Sequence, residues 1–112
     1  MQIIRWQKDL PPQETDLRIY MQKDGLSPYT WSNGPGDHYA VHTHSYEKVL
    51  YCVRGSIRFI LPDLSPESEN SVIDLAPGDC MIMPAGICHS AHVGPQGVTC
   101  LEAARRANTR SA

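Results

Sequence analysis

An all-β domain, an antiparallel sandwich or barrel, is the fold class this sequence predicts, and three observations predict it. Short runs rich in aromatic and β-branched residues alternate apolar with polar, as strands with one buried face do. Clusters of Gly, Pro, Asn and Asp punctuate those runs at intervals of roughly eight to twelve residues, the rhythm of all-β folds. No helix longer than one turn is expected, apart from a possible one over residues 102–107.

The elements follow in order. Residues 2–6 read as a first strand, ended by the polar break 11–16 with its Pro11-Pro12 pair. Residues 17–22 and 27–32 read as two strands joined by a Lys23-Asp24-Gly25 turn. Asn33-Gly34-Pro35-Gly36 is the strongest turn cluster, and it delivers a strand over 37–44. Residues 48–53 and 56–61 look like a hairpin turning at Arg54-Gly55. The acidic polar segment 62–70 is a loop, expected to be the most mobile part of the chain. Strands over 72–75, 79–83, 88–93 and 98–102 complete the set, and 108–112 are expected to fray.

At 112 residues and 12.5 kDa the chain is sized for one domain, 1–112, with 103–112 as a tail. A formal charge of −2 gives no reason to expect nucleic acid or an anionic membrane as partner. No apolar run approaches the ~20 residues needed to span a bilayer. The first ten residues lack the apolar core of a secretory signal, so a cytoplasmic location is expected. Cys52, Cys80, Cys88 and Cys100 form no Cys-x-x-Cys pair and lie in apolar runs. They read as buried free thiols of a reducing compartment.

Two stretches carry chemistry. In Gly36 to Gly55, His42 and His44 stand two apart in a strand-like segment. Period-two geometry sends both imidazoles from one face, where they offer half of a usual metal coordination shell. A pair of surface histidines is the alternative. In Gly78 to His89, the turns Pro77-Gly78 and Pro84-Ala85-Gly86 bracket a short apolar run and place His89 at the start of the next strand.

The order and spacing of these residues resemble the cupin superfamily, in its small single-domain, conserved-barrel form. Its first motif runs Gly, five residues, His-x-His, three residues, Glu, six residues, Gly. Gly36, His42, His44 and Gly55 match it, over 36–55. Its second runs Gly, five residues, Pro-x-Gly, two residues, His, three residues, Asn. Gly78, Pro84, Gly86 and His89 match it, over 78–93. The resemblance implies an antiparallel jelly-roll β-barrel, a divalent transition metal (Fe, Ni, Zn or Mn) on His42, His44 and His89, and a homodimer. Two positions depart from the motifs. Lys48 stands where the family has its Glu ligand, with Glu47 facing the other way, and Val93 stands where it has Asn.

Three histidines without a carboxylate leave coordination positions open, as in gentisate-type and diketone-cleaving members of the family and in cysteine dioxygenase. Neutral ligands leave the full +2 charge on the site, which favours enolates, carboxylates and other anionic chelators. Lysine there is awkward: a +1 charge about 5 Å from a +2 ion costs on the order of 6–7 kcal/mol at an effective dielectric of ~20. Either Lys48 swings away to pair with Glu47 or a loop carboxylate, or it binds neutral, or the site is metal-free and Lys48 holds an anion.

His38, Tyr46 and Lys48 are the candidate ligand-binding residues, and Lys48 is also a catalytic candidate. Alternation puts His38 on the face of His42 and His44, but about 13 Å back along the strand, so it reads as pocket-lining rather than ligating. His92 should face solvent. Leu50, Phe59, Met81 and Met83 read as core, and Tyr39, Tyr46 and Tyr51 as half-buried strand aromatics. The function expected is a metal-dependent, dioxygenase-like enzyme acting on a small oxygenated compound. The alternative is a non-catalytic protein binding a small anionic or sugar-like ligand. An isomerase or epimerase lacks any pair of titratable groups the sequence can place together.

Overall fold

The computed structural model describes residues 1–105. In chain order it contains β1 (Gln2–Ile4), α1 (Glu14–Lys23), β2 (Tyr29–Asn33), β3 (His38–His42), β4 (Glu47–Ile60), β5 (Val72–Leu75), β6 (Cys80–Met83) and β7 (His89–Arg105). All pairings are antiparallel. The spine is a ribbon of β4 and β7, paired from Glu47↔Arg105 to Ile60↔Ser90. One half of the ribbon is extended by β6 and β1 on the β4 side and by β2 on the β7 side. The other half is extended by β5 and β3. Two sheets that share a ribbon and fold over each other make an antiparallel jelly-roll barrel.

The ribbon bends where its register slips, between Cys52 and Ile57 on β4. Arg54-Gly55 was expected to close a hairpin; instead β4 continues through it as one strand. Gly55 has φ +81°, and a Cβ there would lie 2.0 Å from the Gly97 carbonyl oxygen. The left-handed conformation that a hairpin turn would use serves a bulge. The expected strands 88–93 and 98–102 are likewise one element, with residues 94–97 looped out opposite the bulge: Ile57 faces Val93 and Gly55 faces Val98.

Period two then sorts the ribbon's side chains. Leu50, Cys52, Ile57, Phe59, Val93, Val98 and Cys100 point between the sheets, where Met81 and Met83 join them. Val49, Val53, Leu101 and Ala103 point outward and are covered by α1 through Leu17, Met21 and Leu26.

That helix replaces the strand expected over 17–22. Leu17 and Met21, four apart, are the buried face, and Glu14 pairs with Arg18 at 3.1 Å one turn on. The 17–22 window alone alternates passably, but the helical period needs Glu14 and Leu26 in view. Lys23-Asp24-Gly25 is the helix end, not a hairpin turn. The Leu26 N–H donates to the Met21 carbonyl and the Gly25 N–H to that of Gln22, with Gly25 at φ +78°. Leu26 folds back on Met21, completing a Schellman cap.

β1 pairs with β6 of its own chain, and residues 5–6 leave the sheet. They are anchored by buried Asp79, whose carboxylate accepts from the Trp6 N–H at 3.0 Å, the Ala76 N–H at 2.9 Å and the Arg5 guanidinium at 2.9 Å. The possible helix over 102–107 is strand through Arg105; residues 108–112 lie outside the described residues. All four cysteines are free, three of them buried and Cys88 half-buried. Among the described residues no helix is long and apolar enough to cross a membrane.

Candidate functional site

Between the sheets lies a cavity of about 280 Å³ lined by β2, β3, β4, β7 and the 43–46 turn. Three imidazoles occupy one end. β3 supplies His42, the turn after it supplies His44, and β7 opens with His89, the register partner of His42. The second motif's turn is docked onto the first motif, since the Gly86 N–H donates to the His44 carbonyl at 2.9 Å. Ring centroids lie 4.3 Å (His42–His89), 4.9 Å (His42–His44) and 5.2 Å (His44–His89) apart. One ligand atom from each of the three lies within 4.8 Å of those of the other two.

The tautomers follow from the backbone. His42 Nδ1 meets the Ala40 carbonyl at 2.7 Å and His89 Nδ1 meets that of Ile87 at 2.9 Å. A carbonyl only accepts, so Nδ1 carries a proton in both rings, and in the neutral imidazole it is Nε2 that presents the lone pair. The Nε2 atoms of His44 and His89 are buried with no hydrogen-bond partner. Burial, with Lys48 and the other imidazoles adding to it, holds His44 down at about 4. Burial also lowers His89. Both rings are therefore neutral at pH 7, the ligating form. A buried ring nitrogen left without a partner is costly unless something fills the gap. A divalent transition ion fits this donor set.

The other end is charged. Lys48 Nζ lies 3.7 Å from Glu102 Oε1, with side chains 8% and 6% exposed. Lys48 neither swings out nor pairs with Glu47 or a loop carboxylate; Glu47 faces away and binds Arg105 at 2.9 Å. Glu102 also accepts from the hydroxyl of Tyr29 at 2.8 Å, the indole N–H of Trp31 at 3.1 Å and the hydroxyl of Tyr46 at 3.4 Å. Burial pulls the Lys48 ammonium below its ordinary range and Glu102 pulls it partly back. Tyr29 is raised, by burial and then by Glu102.

Glu102 escaped the sequence reading because it stood at the boundary between an expected strand and a possible helix. The signal was there: an acid inside the apolar run Val98–Ala104, two residues from Cys100, shares the inward face of a strand. Tyr29 and Trp31, two apart on β2, were missed for want of a register.

His38 is a correction: it does not line the cavity. Between Tyr39↔Ala91 and His42↔His89, β3 carries one residue more than β7. That bulge turns Tyr39 inward with His42 and sends His38 out, where it stacks on exposed His92 at 5.7 Å. Tyr46 lines the cavity, its ring 4.9 Å from His44, while Tyr51 packs on the helix side. Val93 is core.

No family model matches the sequence, and no curated protein matches it significantly. Solved structures do match. An RmlC-like cupin from Shewanella frigidimarina superposes with a TM-score of 0.58 at 21% identity, over 78% of this chain and 71% of that one. A cupin superfamily protein from Desulfitobacterium hafniense gives 0.59 at 17% identity, over 73% and 68%. The DMSP lyase DddQ from Ruegeria pomeroyi gives 0.60 at 22% identity, over 78% of this chain but 41% of that protein.

Proposed function

The chain has the fold of the small cupins, and from that premise we propose that it is a divalent-metal-dependent enzyme, dioxygenase-like, acting on a small oxygenated compound. One observation carries the reading: two buried, unpartnered Nε2 atoms beside a third imidazole whose Nδ1 proton is tied to a carbonyl. His42, His44 and His89 would hold the ion, and Fe, Ni, Zn or Mn would supply a Lewis-acid centre with open positions for a chelating ligand. The chain's own residues do the rest. Ala40 and Ile87 fix ring orientation through Nδ1. Trp31, Tyr39 and Phe59 wall the cavity and limit water around a bound molecule.

A second reading, non-redox proton transfer of the lyase or isomerase kind, is favoured by the Lys48–Glu102 pair. It supplies the titratable groups whose absence from the sequence reading counted against this chemistry. The likeness to a DMSP lyase points the same way. Two measurements with a panel of enolisable acids separate the readings, oxygen uptake by the Fe(II)-loaded protein and proton exchange by the Fe(II)- or Zn(II)-loaded protein. Oxygen consumption supports the first. Exchange of the α-proton for deuterium without oxygen uptake supports the second. Ligand binding with neither supports the non-catalytic alternative, a carrier or sensor of a small anion. Failure of His42, His44 and His89 to bind any divalent ion sinks the metal reading. A homodimer is proposed alongside; a monomeric mass by light scattering at micromolar concentration overturns it.

A further inference from the structure

We propose that Lys48 is the anion-binding group of this cavity and that the ligand it takes carries a carboxylate, with Glu102 as the fixed counter-charge. The inference rests on the reading of the cavity as a ligand site.

An ammonium taken out of water needs acceptors for three protons. At 3.7 Å, Glu102 offers Lys48 an ion pair but not a hydrogen bond. Glu102 does not depend on Lys48 in return, because Tyr29, Trp31 and Tyr46 already donate to both of its oxygens. The carboxylate is therefore pinned by neutral donors, and it sets the charge of Lys48 without saturating it. The other walls offer little. Lys48 Nζ stands 6.0 Å from the centre of the Phe59 ring, and the Tyr39 hydroxyl is turned to Asn33. Among the described residues no other side chain is placed to accept from Lys48, so its remaining protons are left to whatever enters the cavity, water or ligand.

Charge and size narrow the class. The pair is neutral overall, so a divalent ion on the histidines leaves the cavity at +2 and drives anion uptake. At about 280 Å³ the space lies near the lower bound of ~300 Å³ for drug-sized ligand sites. Among the described residues no Arg and no helix N-terminus lines it, and those are frequent partners of phosphate. A single ammonium matches a single carboxylate.

The test compares lactate with lactamide, which differ in the charged group. Binding is read from the visible spectrum of the Co(II)-loaded protein and by calorimetry on the metal-free protein. The parent should bind lactate at least tenfold more tightly than lactamide. Lys48→Met should abolish that preference while Co(II) uptake is kept. Equal affinity of the parent for both probes overturns the proposal and needs no variant. A preference that survives in Lys48→Met also overturns it, by assigning the anion to the histidine end. If the parent takes up no Co(II), the metal reading fails separately. The metal-free comparison then decides the role of Lys48 by the same criteria.

Discussion

The two ends of one cavity are built by opposite means. The histidine end is neutral, local and written in two short motifs; its atoms are oriented by carbonyls two residues away. The Lys48–Glu102 end is ionic and non-local, assembled from β4, β7, β2 and the turn before β4, with partners up to 73 residues apart. At the first end, burial leaves lone pairs wanting a cation. At the second, burial makes one charge conditional on another. Emptying the first should cost binding; unbalancing the second should cost folding.

The largest effect expected is at the histidine end. His89→Ala should weaken Zn(II) or Co(II) binding on the order of a thousandfold, about 4 kcal/mol, by metal titration, whereas Lys48→Met should not weaken it. Equal losses in the two variants would erase the distinction between the ends.

Next comes the ion pair. Glu102→Gln leaves Lys48 buried without its counter-charge and should destabilise the metal-free protein by about 3 kcal/mol in urea denaturation. The double variant Lys48→Met/Glu102→Gln should recover most of that loss. Additive losses would mean that the pair is not coupled.

Lys48→Glu bridges the two ends. It removes a repulsion from the ion and adds a second carboxylate beside Glu102, so metal affinity should rise roughly tenfold or more. Stability of the metal-free protein should fall, since two buried carboxylates now face each other. A gain in both would show that Lys48 was placed at its partner's expense.

The smallest effect is the pH response of the metal-free protein. His44 is held at about 4 and His89 is also lowered, against an unfolded value near 6.5. Between these values the unfolded chain binds more protons, so stability is fully present above about 6.5 and falls as pH drops toward 4. The urea midpoint should therefore be lower at pH 5 than at pH 7, and saturating Zn(II) should steepen the fall by competing with protons. A flat profile would place His44 and His89 in water.

By itself the sequence determined the all-β class, most strand positions, and the three histidines with the turns that carry them. Those features depend on residues within a few positions of one another, where period two and glycine conformations act directly. The tertiary structure alone decided the rest. Whether 17–22 is strand or helix was settled by what covers the outer face of the ribbon, Val49 and Leu101. A bulge of one residue, invisible without the β7 partner, exchanged His38 for Tyr39. The partner of Lys48 was settled by cross-strand register, which places Glu102 opposite Leu50 and Tyr29 opposite Glu102. A buried charge takes its counter-charge from whichever strand lies alongside, and no spacing along the chain encodes which strand that is.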